Sequence, residues 1–376
     1  MDHPAHTLDA RLVLRETGPN PKERRAFREL YFCFQGKWKR KYSHPQTAMI
    51  SVVTRAIVWT MARQPYKRDN VAAAESTSVP MACWNAWDLL VNVRGIGWDW
   101  SPRMPTPRTQ SQSRALFVLF AIARAVFCML AFDFFTEALY SDDGPRRIDT
   151  IFDHSLAPIP RWTHVLHIVF LSYWMGYFTI EGVYQLHSAI FVILFWQHPS
   201  QWPPLFDRPW ASTSLSDLWG RRWHQMVRPV AIALGGEPLS YFLGRPGHVL
   251  GTFLLSSFIH CVEFRASGQG GRAAVEGGFF AMNAVGVLLE RTWSKVAGRR
   301  VRGIYGWIWT LVWVTVWAVP MVDEWAKVGR YNVDPFGGSS PARALLSWAL
   351  PDGVDKGFAA SCVSLGISVL VIVYTL

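Results

Sequence analysis

Two histidines of this 376-residue chain stand where they could move a proton. His260 closes the run Gly251-Thr252-Phe253-Leu254-Leu255-Ser256-Ser257-Phe258-Ile259, which carries no charge. An ionisable group in so apolar a stretch is costly and demands a reason. Thr252, Ser256, His260 and Glu263 recur at spacings of four, four and three, so a helix gathers them on one stripe, away from Phe253, Leu254 and Phe258. A neutral imidazole is suited to take a proton from an alcohol as its oxygen attacks a thioester carbonyl, with Glu263 or Ser256 orienting the ring. A structural histidine bonded to a backbone carbonyl of a neighbouring helix is the competing reading.

The second histidine, His224, lies in Trp219-Gly220-Arg221-Arg222-Trp223-His224-Gln225. Ser214 stands three residues before Asp217, an arrangement that satisfies free amides at a helix start, and Pro229 is expected to end that helix. Trp219, Trp223 and Val227 then share one face, and Asp217, Arg221, His224 and Arg228 another. The pattern predicts a helix lying on the membrane surface, aromatics down. Asp217 pairs with Arg221 at i and i+4, Arg222 and Arg228 are left to meet phosphates, and His224 and Gln225 offer neutral hydrogen-bonding groups. A plain interfacial anchor fits the same pattern.

The elements that hold these groups are written in the composition. The chain is 50% hydrophobic and only 17% charged, with 20 Trp, which points to a membrane protein with indoles at the wet boundary. Its formal charge of +11 sits in the N-terminal region and in loops between apolar stretches, a pattern for anionic lipid rather than nucleic acid. Five scattered cysteines without a Cys-x-x-Cys pair write neither a disulfide framework nor a metal site, and Cys128 and Cys362 read as small packing residues. The first thirty residues hold no continuous apolar run of the cleavable-signal kind.

Residues 1–79 form a basic region, expected to be cytosolic or interfacial, and residues 80–376 the membrane domain. The segments 46–62 and 80–93 are too short or too interrupted to span, residues 72–79 are a linker, and residues 103–113 are polar and proline-rich. Membrane-long runs follow at 115–139, twice between Trp162 and Trp196 with a break near Gly176, Glu181 and Gly182, and at 247–264, 275–290, 303–319 and 358–375. The expected fold is therefore an all-α, polytopic integral membrane protein with about seven transmembrane helices plus interfacial helices. The basic turn from Arg291 to Arg302 belongs in the cytosol, and counting crossings backward puts residues 198–246 there too.

Several motifs fail on spacing. No His is followed by Asp at the fourth or fifth position, and neither a phosphate-binding Gly-Lys loop nor His-Glu-x-x-His occurs. Gly268 to Ala273 satisfies a loose dinucleotide pattern but follows an apolar helix, so it is a loop.

What remains resembles a family. Arg94-Gly95-Ile96-Gly97-Trp98, Trp202-Pro203-Pro204-Leu205-Phe206 with Ser214 to Gln225, and Phe279-Phe280 through Gly286 to Glu290 are similar to motifs of the wax-synthase-like branch of the membrane-bound O-acyltransferases. Fungal members acetylate terpenoids and other secondary-metabolite alcohols. The resemblance implies acyl-CoA, acetyl-CoA first, as co-substrate with no tightly bound cofactor, a lipophilic alcohol as acceptor, and an endoplasmic-reticulum membrane. It further implies His260 as catalytic base and His224 as supporting polar residue, with Arg221, Arg222, Trp223, Gln225 and Arg228 on the CoA side. The family often has an acidic residue directly after the core histidine; here that position is Cys261, with Glu263 two residues on.

Overall fold

The computed structural model describes residues 66–67, 79–91, 97–98, 113–140 and 147–375, apart from 196, 267, 269, 333–335, 337 and 352. The basic run of residues 1–45, the segment 46–62, most of the 72–79 linker, residues 94–96 and the polar stretch 103–112 lie outside the described residues. The elements are all helical, and six helices are long and apolar enough to cross a membrane. Large apolar side chains such as Leu119, Phe120, Phe258 and Leu370 point outward from them, as lipid-facing surfaces require.

Helix α1 (Val79–Val91) is the short helix expected from residues 80–93. Its buried Asp88 accepts the indole N–H of Trp98 at 2.9 Å, and Gly97, with φ 84°, turns the chain so that Trp98 can reach back.

Helices α2 (Arg114–Glu137) and α3 (Pro158–Leu194) pack along each other through Phe127, Phe135, Trp174 and Phe178. The two segments expected between Trp162 and Trp196 are one 37-residue helix, roughly 55 Å long. Glu181 does not break it, because Arg124 (2.9 Å) and Gln185 (2.8 Å) satisfy its buried carboxylate. Gly182 lets α2 come close: a Cβ there would lie 3.1 Å from that of Cys128. Of the two cysteines read as packing residues, Cys128 is buried and Cys362 exposed.

The chain next folds through short turns to a helical hairpin. The helical turns Arg228–Ala231 and Ile232–Gly236 lead directly into α4 (Glu237–Ala266), which is folded back at Gly244 (φ 60°, ψ −143°). That conformation is open to glycine almost alone. Residues 228–243 thus form an outgoing arm and 245–266 a return arm of roughly 33 Å. A Cβ on Gly251 would meet the Gly235 carbonyl oxygen at 2.0 Å, and one on Gly247 the Leu239 oxygen at 2.3 Å, so the two backbones touch.

Helices α5 (Ala273–Val296) and α6 (Gly303–Lys327) follow, joined by the basic turn; we call that side of the bundle the basic end. Helix α6 runs past residue 319 to bring in Asp323 and Glu324. A short α7 (Pro341–Ala349), which hydropathy does not signal, precedes the final α8 (Lys356–Thr375). At the opposite end, acidic residues hold the loops. Asp323 accepts from Thr150 (2.6 Å) and the Ile151 amide (3.1 Å), and Asp133 from Ser340 (2.9 Å) and the Ala342 amide (2.8 Å).

Candidate functional site

The segment around His224 begins as its sequence predicts and then departs from it. The Ser214 hydroxyl accepts the Asp217 amide at 2.9 Å, capping the turn Leu215–Asp217. That turn widens into a π-turn, Leu218–Arg222, closed by the Trp223 amide on the Leu218 carbonyl at 2.8 Å. The helix ends at Arg222 rather than at Pro229, which instead opens the next helical turn in the position where its missing N–H costs nothing. Val227 and Arg228 consequently share no helical face with Trp219 or Asp217.

The segment also does not lie on the surface. Glu290 of α5 accepts the amides of Leu215 (2.6 Å) and Ser216 (2.9 Å), the Ser216 hydroxyl (2.7 Å) and the Trp309 indole (3.0 Å). Two turns further along α5, roughly 10 Å deeper, buried Asn283 accepts the Trp219 indole at 3.0 Å. The Trp219 ring meets Phe253 of the return arm and Phe279 of α5. Trp223 reaches Tyr173 of α3 (5.7 Å), whose neighbour Ser172 bonds Tyr331 at the opposite end of the bundle. The chain therefore descends from the basic end into the middle of the molecule, and the outgoing hairpin arm carries it back up. The aromatic positions are anchors for this descent, which is why they do not face a bilayer surface.

The motif arginines separate into three environments. Arg222 is only 12% exposed, with Nε 2.5 Å from Asp217 and Nη1 donating to the carbonyls of Asp207 (3.1 Å) and Arg208 (3.3 Å). It is spent on holding the descending turn to the chain before it, so it is not left for a phosphate. Arg221 pairs with Asp217 as expected, at 2.9 Å, but is 55% exposed. Arg208 in the same wall is the single described non-glycine residue with positive φ, 45°. Arg228 starts the outgoing arm, is half-buried, and its side chain makes neither a hydrogen bond nor an ion pair among the described residues. Of the two arginines expected to be left for phosphates, Arg222 is therefore paired with Asp217 and Arg228 is half-buried.

Gln225 is buried and donates through Nε2 to the carbonyls of Trp223 (2.5 Å) and Trp219 (3.2 Å), closing the turn from below. His224 packs edge-on to Phe206 at 6.0 Å and beside Trp223.

His260 sits on the return arm about 9 Å from its Ala266 end. Its ring stacks on Phe280 of α5 (5.1 Å, 19°) and on Phe264 (6.1 Å, 23°). Glu263 approaches its Nδ1 at 3.6 Å, whereas Ser256 makes no hydrogen bond to it. Thr252 leaves the expected stripe: its hydroxyl donates to the His248 carbonyl (2.7 Å) against the outgoing arm at Gly236. Contacts Trp219–Phe279 (6.1 Å), Phe279–Phe280 (5.4 Å) and Phe280–His260 (5.1 Å) join the descending segment to this ring.

Two groups beside His260 have no signal in the sequence. Arg330 pairs with fully buried Glu276 at 2.7 Å and lays its guanidinium 3.4 Å above Phe264. Burial pulls the Arg330 guanidinium down to about 10, although Glu276 opposes the shift. Glu290 and Asn283 are the other positioning residues that spacing does not disclose, since their partners are 75 and 64 residues away. Among the described residues no cluster of His, Cys, Asp and Glu could hold a metal.

A family model described as membrane bound O-acyl transferase matches residues 202–282, which covers both the descending segment and His260. Acetyltransferase atnC of Arthrinium sp is 25% identical over 298 residues, 66% of this chain and 65% of that protein. Acetyltransferase ple2 of Rhodocybe pseudopiperita is 27% identical over 258 residues, 64% of this chain and 65% of that protein. A long-chain-alcohol O-fatty-acyltransferase of Simmondsia chinensis is 30% identical over 107 residues, 26% of this chain and 30% of that protein. The chain spans between 41% and 65% of the first four curated relatives it matches. No solved structure matches. With its matching segment folded between helices long enough to span a bilayer, the chain is similar over residues 202–282 to the membrane-bound O-acyltransferase family.

Proposed function

We propose that this chain transfers an acyl group, acetyl in the first place, from acyl-CoA to the hydroxyl of a lipophilic alcohol of the terpenoid or meroterpenoid kind. The observation that carries the reading is the unbroken contact from Trp219 through Phe279 and Phe280 to His260, which ties the family's matching segment to an imidazole inside the bundle. The names of the acetyltransferase relatives favour acetyl over a long acyl chain.

His260 takes the alcohol proton as the oxygen attacks the thioester carbonyl, and Glu263 orients the ring. The tetrahedral adduct then expels the CoA thiolate, which recovers that proton. His224 and Gln225 support the thioester side. The basic end faces the cytosol, where CoA thioesters are made. There Arg221, which is exposed although paired with Asp217, is joined by Arg291, Lys295, Arg299, Arg300 and Arg302, exposed and without acidic partners among the described residues, to receive the phosphates. The alcohol arrives through the bilayer, that of the endoplasmic reticulum.

Microsomes from cells expressing the chain, given labelled acetyl-CoA and either a polycyclic terpenol or hexadecanol, test the assignment. A labelled terpenyl ester is expected. Ester from hexadecanol alone would make the chain a wax ester synthase. Proton movement across sealed vesicles without any ester would make it a transporter.

A further inference from the structure

A cation buried in a membrane-spanning bundle is expensive and is held by an acidic residue or by backbone carbonyls unless it serves a ligand. Arg222 and Arg330 obey this rule, with Asp217 and Glu276 as their partners. Arg228 does not, for it is half-buried and its side chain makes no hydrogen bond or ion pair among the described residues.

Its depth is fixed by the hairpin. Gly235 faces Gly251 and Leu239 faces Gly247, so each step back along the outgoing arm is matched by a step forward along the return arm. Continued to its start, that register sets Arg228 opposite Phe258, within one turn of His260. The descending segment agrees: Trp219 is level with Asn283, and Trp223 lies deeper still, against Tyr173. Arg228 therefore arrives at the depth of the imidazole from the side of the thioester-supporting residues. It does so well below the basic end, where the remaining unpaired cations collect.

We propose that Arg228 is a catalytic residue, the donor that stabilises the oxyanion of the tetrahedral adduct. The proposal rests on the acyl-transfer reading above. As the alcohol oxygen bonds to the thioester carbon and its proton passes to His260, the carbonyl π pair moves onto oxygen. The guanidinium receives that charge with two N–H donors. When the carbon–sulfur bond breaks, the pair returns to the carbonyl and the thiolate takes the proton from His260. A fixed cation at the point where charge develops, shielded from water, is worth most at that moment.

Steady-state kinetics of the full chain in detergent, with acetyl-CoA and a polycyclic terpenol, distinguish this role from phosphate binding. Arg228→Gln is expected to lower kcat about 100-fold while KM for acetyl-CoA stays within about twofold. Arg228→Lys, which keeps the charge and guards against a folding artefact, should recover part of kcat. Added guanidinium ion should partly restore Arg228→Ala. A raised KM for acetyl-CoA with kcat retained would make Arg228 a phosphate ligand and overturn the proposal, as would full activity in Arg228→Gln. If His260→Ala loses transfer but Arg228→Gln does not, this inference alone falls. If the wild-type chain forms no ester, the acyl-transfer reading falls first.

Discussion

Glu290 holds Ser216 twice, accepting its amide at 2.9 Å and its hydroxyl at 2.7 Å, across 74 residues of sequence. The carboxylate is buried and also serves Leu215 and Trp309. Glu290→Ala leaves those donors unmet and should cost about 3 kcal/mol, whereas Glu290→Gln keeps one acceptor and should cost less. Thermal unfolding in detergent checks the order: Glu290→Ala lowest, Glu290→Gln intermediate.

Trp219→Phe preserves ring contacts with Phe253 and Phe279 but removes the donor to Asn283. About 1 kcal/mol of stability should be lost, with larger loss of transfer if the descending segment places the thioester. A variant with wild-type turnover would show that this anchor has no bearing on the reaction.

His260→Ala should reduce acetyl transfer by about 100-fold or more in microsomes while expression and membrane integration remain unchanged. Retained activity would remove the imidazole from the mechanism.

The Arg330–Glu276 pair makes a contrast. Arg330→Ala strands a buried carboxylate and should destabilise by about 3 to 5 kcal/mol. Losing both partners strands no buried charge. The double change Arg330→Met with Glu276→Leu should therefore unfold at a higher temperature than Arg330→Ala alone. A double variant less stable than the single would show that the stranded carboxylate is not what costs stability.

Gly251→Ala drives a methyl group into the Gly235 carbonyl at 2.0 Å and should disrupt the hairpin, while Gly176→Ala, with nothing within 4 Å, should be neutral or slightly stabilising. Proteolysis near residue 244 in the two variants gives the comparison.

The helices were legible because a span writes its length in hydropathy: α2, α5 and α8 begin and end within a few residues of their apolar runs. The break expected in α3 was not there, since Gly182 serves close packing and Glu181 finds its cation on another helix. Pro229 carried a signal that a stop and a start share, and tertiary packing chose the start. Spacing could not tell Arg221 from Arg222, because their difference lies in the carbonyls of Asp207 and Arg208. Ser214 capping Asp217 and Arg221 pairing with Asp217 were legible, both being contacts within one helical turn. Glu290 was visible as part of a motif but not as the clamp it is, for nothing local connects it to Ser216.

The hairpin also sets an order of assembly. Gly235 and Gly251 are separated by a short loop, so their arms can close on each other soon after synthesis passes Gly251. Leu215 and Ser216 must wait for Glu290, a much longer loop. A nascent chain stopped before α5 would thus carry a closed hairpin and an unanchored signature, and the segment that gives the family its mark would be among the last to find its place.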